Sequence, residues 1–218
     1  MLKSIMDFLS KILDSIFPKR KDYKRVIILT KEEIESLPKS PAFEKIEWIY
    51  PLFKYKDLTV KAIVWELKYR ENTFPLEHIG QIFYDLIMAQ MSDILIFDND
   101  AKFALIPIPI SPTTRSERGF NQSELIAKSI IPYDTEHKLL YAPQWLEKIK
   151  DTQKQSKSST REDRLKNLLG CFWADKKIND YYVFLIDDVV TTGSTLSEAR
   201  KTLLEAGAKE VFAFTIAH

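Results

Sequence analysis

Cysteine, histidine and glycine are scarce in this chain. Its 218 residues include one cysteine, three histidines and five glycines. A single cysteine rules out an internal disulfide and a multi-cysteine zinc site. Cys171 reads most simply as a small apolar core side chain. A charge excess is missing too, because 32 Lys and Arg stand against 31 Asp and Glu, a net charge of +1. Global charge therefore gives no strong nucleic-acid footprint, although a local patch is compatible with it. What remains, 45% hydrophobic and 29% charged residues, is the composition of an ordinary globular protein. The length suffices for one large domain with a full core. Sparse cysteine fits a reducing compartment, and we expect a cytoplasmic protein.

The N-terminus lacks a long apolar run. In "MLKSIMDFLSKILDSIFPKR", Leu2, Ile5, Met6, Leu9, Ile12, Leu13 and Ile16 recur at helical spacing. Asp7, Lys11 and Asp14 interrupt them, so neither a signal peptide nor a membrane span is expected there. The stripe suits packing on the rest of the protein or on a second copy in a homodimer. A membrane surface is the alternative we place second, because Lys19, Arg20, Lys21, Lys24 and Arg25 follow. Pro18 ends this helix.

Downstream, "VIIL" at 26–29 predicts a short strand, and "KEEIESLPKS" a helix start broken at Pro38. Residues 57–69 predict a helix with Asp57 as N-cap and with Leu58, Ala62, Trp65 and Tyr69 on one apolar side. Residues 75–92 predict another, with Ile79, Ile82, Phe83, Leu86 and Ile87 on its stripe. "KFALIPIPI" reads as a buried strand closed by Pro107 and Pro109. A helix over 122–131 and a short strand in "HKLLYA" follow. The polar stretch from Lys150 to Arg164 has no apolar period and is long for a connection inside a compact domain, which marks it as functional or disordered. After it come "LLGCFWA", the apolar run "YYVFLIDDVV", a helix over about 194–205, Gly207 as its stop, and the strand "EVFAFTIAH". Strands alternating with helices predict an α/β fold with a mostly parallel sheet flanked by helices. Such sheets bind ligands at the carboxyl ends of their strands. We place an N-terminal appendage at 1–49 and the α/β domain at 50–218.

One such strand end carries unusual chemistry. In "VFLIDDVVTTGST", an apolar run reaches Asp187 and Asp188, and the loop that follows holds Thr191, Thr192, Gly193, Ser194 and Thr195. Two adjacent carboxylates are costly to bury unpaired and fit an edge that meets hydroxyls, a metal or cations. Gly193 permits a left-handed turn or close backbone approach. The loop runs into a helix N-terminus, where open amides and the helix dipole favour an anion. No Gly-Lys-Ser/Thr follows the glycine, so this is not a P-loop. Taken singly, each feature describes a polar turn that caps a helix. Together, acids for a diol beside an amide cradle describe a ribose 5-phosphate site.

The stretch closely resembles the PRPP-binding motif of type I phosphoribosyltransferases. That resemblance implies that Asp187 and Asp188 bind the ribose hydroxyls, and that Val189, Val190, Thr191, Thr192, Gly193, Ser194 and Thr195 hold the 5-phosphate. "LIPIPISPTTRSERGFNQSELIAKSI" resembles the ComF-like branch of that family, through Pro107, Pro109, Arg115, Arg118, Gly119, Phe120, Asn121 and Gln122. Arg115 and Arg118 would then grip pyrophosphate in bidentate fashion; as plain loop residues they would be solvated charges. The segment from Thr152 to Ala174 resembles the family's flexible hood, with Arg164, Asn167 and Phe172 aligned and Gln155 loosely so. Lys154, Lys157 and Arg161 would carry positive charge to the leaving group on closure. A Leu-Lys-Tyr element at Leu67, Lys68 and Tyr69 resembles the helix pair before the family's core. The family commonly begins with a zinc-binding cysteine module; "KRKDYKR" stands in its place, and no zinc is expected.

The resemblance implies an enzyme that displaces pyrophosphate from PRPP, with Mg²⁺ carried by the substrate and few direct protein ligands. Asp187, Asp188 and Arg118 are its expected catalytic residues. No residue identifies the acceptor, which a purine, a pyrimidine or ammonia would satisfy. A non-catalytic PRPP- or nucleotide-binding accessory of competence, DNA uptake or recombination is the alternative the family name suggests.

Overall fold

The computed structural model describes residues 29–43, 46–70, 73, 75–150 and 169–218. The helix expected over 1–17 and most of the strand expected over 26–29 lie outside the described residues. So do Lys154, Gln155, Lys157, Arg161, Arg164 and Asn167.

The described chain opens with helix α1 (Lys31–Glu35), where Thr30 and Glu33 form a reciprocal capping box. Strand β1 (Ile49–Phe53) follows, then α2 (Leu58–Arg70), α3 (Leu76–Phe97) and β2 (Lys102–Pro107). Next come α4 (Pro112–Arg118), α5 (Gln122–Ile130), β3 (Leu139–Tyr141), β4 (Leu146–Lys148) and β5 (Phe172–Ala174). The chain closes with β6 (Tyr181–Val189), α6 (Ser194–Glu205) and β7 (Glu210–Ala217). Five strands form a sheet in the order β1-β7-β6-β2-β3, every pair parallel. Strands β4 and β5 form a separate antiparallel pair that flanks the polar 150–164 stretch.

The period-2 alternation of strand side chains builds two cores. Phe184, Ile186, Phe212, Phe214, Phe103 and Leu105 point to the face covered by α1, α2, α3 and α5. Val183, Leu185, Val211, Ala213, Ala104 and Ile106 point to the other, covered by α6 and the β4–β5 pair. Both faces of the central strands are dry, so those strands are continuously apolar. Sequential strands connect outward from the centre. From β6 the chain passes through α6 to β7, and from β2 through α4 and α5 to β3. The two connections leave neighbouring strands in opposite directions, which opens a crevice between the carboxyl ends of β6 and β2.

Two expectations need correction. The apolar side of α2 is not Leu58, Ala62, Trp65 and Tyr69, because Leu58 and Tyr69 are exposed. Val60, Ile63, Val64 and Leu67 are the buried stripe, at helical spacing. The helix is apolar on most sides, so more than one stripe fits its sequence. Strand β1 was not anticipated. Its Pro51 argues against a central strand, and β1 is the edge strand of the sheet, paired with β7 and met on its outer side by an isolated antiparallel bridge from Lys39 to Phe53. Asp57 does cap α2, accepting from the Thr59 and Val60 amides at 2.8 and 3.1 Å.

Helices α3 and α5 touch at Gly80, where an added Cβ would sit on the Ser129 carbonyl. That obstacle is backbone and cannot swing away. Gly80→Ala should therefore lower the melting temperature, although alanine favours a helix by about 1 kcal/mol. Overpacking costs about 1–3 kcal/mol, and each kcal/mol moves a chain of this size by roughly 2–4 °C. An unchanged or raised melting temperature in a thermal scan would show that the two helices can separate at no cost.

Candidate active site

The acid pair and the hydroxyl-rich loop meet at the crevice between β6 and β2. Strand β6 runs through both acids to Val189, which still pairs with Ala217 on β7. Asp188 follows Phe184 and Ile186 on one face of the strand, and that face is covered by α2. There Lys68 Nζ lies 2.9 Å from Asp188 Oδ2. Asp188 is 4% exposed, so its carboxylate needs that cation. Its other oxygen accepts the Val189 amide at 2.8 Å. Burial opposes the Lys68 charge, but attraction to Asp188 and the hydrogen bond to it outweigh burial and hold the ammonium above the ordinary lysine range.

Asp187 is held differently. Its Oδ1 accepts the Ser123 hydroxyl and the Asp188 amide, each at 2.9 Å. Burial, reinforced by the neighbouring Asp188 carboxylate, pushes its pKa up to about 7. The Asp188 amide, Ser123 and Lys68 pull it down without overcoming those effects. The two acids therefore differ: Asp188 has a cation, and Asp187 holds a proton near neutrality.

The loop beyond them is a small cradle. A hollow of about 40 Å³ is lined by Asp187 and by residues 189–196. Gly193 is the N-cap of α6 with φ 73°, and no side chain caps the helix there. The Thr192 and Ser194 hydroxyls pair at 2.9 Å. Val190 is buried, Thr191 is exposed, and Thr195 lies in the first turn of α6. The glycine is needed for its left-handed backbone. An added Cβ would point at Phe43, 3.1 Å away, toward the core beneath the loop.

The segment after β2 supplies the opposite wall. Asn121 is a clasp: its side chain donates to the Ile108 carbonyl at 3.0 Å and accepts the Ser123 amide at 3.0 Å. It ties the exit of β2 to the start of α5 and so sets Ser123 against Asp187. Gly119, with φ 84°, ends α4 in the left-handed region. Arg118 donates to Gln122 Oε1 at 3.3 Å and lies 6.0 Å from the Tyr69 ring, beside Lys68. Arg118 thus lies against the end of α2 that carries Tyr69 and, one residue earlier, Lys68. Arg115 does not join the cradle. It makes a bidentate pair with Glu124, at 2.6 and 3.3 Å. It lines a separate hollow of about 530 Å³ with Pro109, Tyr141 and Lys128, and the cradle shares no residue with it. Lys157 and Arg161 lie outside the described residues.

Sequence reasoning missed two contributors. Lys68 was visible only as part of the Leu-Lys-Tyr element, with no role attached. Ser123 follows the Asn-Gln pair and carries no separate signal. Among the described residues no three His, Cys, Asp or Glu side chains converge as a metal site.

A mostly parallel five-stranded sheet flanked by helices, with the acid pair and the hydroxyl-rich loop at its switch point, is consistent with a type I phosphoribosyltransferase-like fold. About half of the chain is similar to ComF proteins. It is 37% identical over 121 residues to competence protein ComFC of Bacillus subtilis (strain 168), a match covering 54% of this chain and 45% of that protein. It is 31% identical over 116 residues to competence protein ComFC of Streptococcus pneumoniae, covering 53% and 48%. It is 32% identical over 120 residues to competence protein F of Haemophilus influenzae, covering 50% and 47%. The chain spans about half the length of the curated relatives it matches. No protein-family model matches it.

The site electrostatics can be tested without a ligand. The folded pKa of Asp187 lies above its unfolded value, so the folded state binds more protons between about pH 4 and 7. Stability should fall as pH rises through that window. Asp187→Asn should flatten that slope and give the higher melting temperature at pH 8. A variant that keeps the wild-type slope would place the titration elsewhere. Lys68→Met should destabilise by roughly 1–3 kcal/mol, less than the 3–5 of a fully buried pair, because Lys68 is 27% exposed. Adding Asp188→Asn should recover part of the loss in urea titrations. A double variant no more stable than Lys68→Met would show that the pair carries no coupling.

Proposed function

We propose that this protein binds PRPP at the β6–β2 crevice and acts as a ComF-type phosphoribosyltransferase. The observation that carries the reading is the continuity of the acid pair and the cradle. Asp187 and Asp188 lead straight into an uncapped helix N-terminus, the order in which a ribose 5-phosphate presents its diol and its phosphate. The Asp188 carboxylate, fixed by Lys68, accepts a hydroxyl hydrogen. Asp187, poised near neutrality and held by Ser123, completes the diol contact. The amides and hydroxyls of residues 191–195 take the 5-phosphate.

In this reading the C1–oxygen bond to pyrophosphate breaks while C1 bonds to an acceptor, through an oxocarbenium-like transition state. Positioning and charge neutralisation dominate. Arg118 would meet the leaving group from the end of α2 that bears Tyr69, and its hydrogen-bond partner among the described residues, Gln122, is neutral. Arg115 reaches a ligand only by giving up Glu124. Lys157 and Arg161 would join from the hood. Mg²⁺ enters with the pyrophosphate and offsets its charge when bound; Asp187, with no hydrogen bond to its Oδ2 among the described residues, is the side chain best placed to face it. The acceptor is unassigned. We infer a cytoplasmic setting, which the buried Cys171 suits, its thiol pushed up by burial.

A second reading, a non-catalytic PRPP- or nucleotide-binding accessory of competence or DNA uptake, is favoured by the names of the relatives and by the pairing of Arg115 with Glu124.

Mg²⁺ and PRPP at about a hundred times Kd should stabilise the fold by about 2.7 kcal/mol, roughly 5–10 °C in a thermal scan. Replacing Asp187 and Asp188 together by asparagine should abolish the shift. No shift at millimolar PRPP, or a shift that survives the double replacement, would refute the site. Pyrophosphate release across a panel of nucleobases and ammonia separates the two readings: release with one acceptor supports the enzyme, and silence with an intact thermal shift supports the accessory.

A further inference from the structure

We propose that the hollow beside Arg115 is a second ligand site, one that takes a planar aromatic carboxylate by exchanging it for Glu124 on the Arg115 guanidinium. The hollow has a volume of about 530 Å³, within the range of small-molecule sites. It lies past the carboxyl ends of β2 and β3, with Pro109 and Tyr141 in its wall, and parallel sheets bind ligands at that edge. It has no residue in common with the cradle, so a ribose 5-phosphate seated there leaves it open to a different molecule.

Three observations select the ligand. The first is a stand-in. Glu124 already holds Arg115 through both carboxylate oxygens, at 2.6 and 3.3 Å. A free carboxylate fits the same fork with the same two bonds. The pair yields readily, because the arginine side chain is 54% exposed and exposed pairs are weak. The exchange does not strand Glu124. Lys128 stands four residues further along α5 and lines the same hollow, and a glutamate four residues ahead of a lysine is the favourable order on a helix.

The second is a donor with nothing to bond. Tyr141 lines the hollow, and its hydroxyl is sealed from water with no hydrogen-bond partner among the described residues. Buried hydroxyls are nearly always satisfied. Burial, reinforced by the Glu124 charge and opposed by Arg115, pushes its pKa up to about 12, so it stays a donor. Both charges reach the hydroxyl, which therefore sits close to the ion pair. A carboxylate delivered to Arg115 brings the acceptor it lacks. The third is the wall. Pro109, Pro112 and Pro143, with Ile110 and Leu146, form its apolar part. A flat aromatic body covers such rigid rings without ordering flexible side chains. Helix α4 starts at this wall with Pro112, which has no N–H, and Ser111 already caps the Thr114 amide at 3.3 Å. Among the described residues, this wall therefore lacks the run of open amides that suits a phosphate at α6.

Ligand-observed NMR titration of the full chain with benzoate and 2-naphthoate tests the proposal. Both should bind saturably. Arg115→Met should weaken both by about tenfold or more. Tyr141→Phe should weaken them by about two- to tenfold and leave the melting temperature unchanged, because the hydroxyl has no partner to lose. Glu124→Gln should tighten both by about two- to fivefold, since the competing carboxylate is gone. A glutamate with a merely structural role would not give that sign, and this variant also serves if Arg115→Met folds poorly. The titrations contain no PRPP, so this site and the PRPP reading can fail separately. Absent binding to both the wild type and Glu124→Gln at millimolar concentrations overturns the proposal. So does binding that is unchanged or weaker in Glu124→Gln, or that survives Arg115→Met at full strength. AMP or pyrophosphate held through Arg115 where the carboxylates fail makes the ligand a phosphate and overturns it equally.

Discussion

The ion pair between Lys68 and Asp188 is the constraint around which the site is organised. A carboxylate on a central parallel strand has no water to solvate it and must be given a cation. Helix α2 delivers one, and only in one rotation about its own axis. Burying Val60, Ile63, Val64 and Leu67 turns Lys68 toward the end of β6. The same rotation brings Tyr69 out beside Arg118. Core packing on α2 and charge compensation on β6 are thus one requirement satisfied twice. The compensation is unequal by construction, because one cation serves two adjacent acids. Asp188 takes it, and Asp187 is left with a hydroxyl, an amide and a raised pKa.

Topology decides what stands opposite the acids. Because β6 and β2 send their connections in opposite directions, neither of those connections closes over the gap between their carboxyl ends. The segment after β2 fills one wall, and its geometry depends on Asn121. One amide side chain, 2% exposed, bridges the Ile108 carbonyl and the first turn of α5. Remove that bridge and Ser123 loses its fixed distance to Asp187. The polar residues that neither face a ligand nor carry charge are therefore as necessary to the site's shape as the acids. Their placement follows from hydrogen-bond satisfaction in a buried loop.

Much of this was readable from residues alone, for identifiable reasons. Strand β6 and helix α6 announce themselves through an unbroken apolar run, an acid pair and a glycine, and the helix was placed to the residue. Asp57 was legible as a cap because capping is local chemistry. The stripe of α2 was not, because a helix apolar on most sides does not reveal which side meets the sheet. β1 was hidden by its proline and by being an edge whose partner in the sheet, β7, lies more than 150 residues away in sequence. Arg115 and Arg118 looked equivalent in the sequence, three residues apart. On a helix that separation puts them on neighbouring faces, and each is captured by a different partner on α5: Glu124 for one, Gln122 for the other. Pairing across the turn between two helices leaves no trace in the pattern of either helix.

The unequal fates of the two arginines bear on how a donor such as PRPP would be handled. The Arg115–Glu124 pair is bidentate, but the arginine side chain is 54% exposed. Exposed pairs contribute about 1 kcal/mol or less, so a phosphate could displace Glu124 at small cost. The obstacle is position, not strength, since Arg115 opens onto a hollow that shares no wall with the cradle. Arg118 faces the opposite balance. Its hydrogen bond to neutral Gln122 is weak, and it stands beside the Tyr69 ring. A multiply charged leaving group would find in Arg118 a cation whose charge no carboxylate pairs among the described residues. In the proposed reading, the diol and phosphate contacts would fall on the end of β6 and the start of α6. The part that must exchange partners would be left to short helix α4. That division matches the mechanical demands of a reaction in which the ribose stays fixed while its substituents are exchanged.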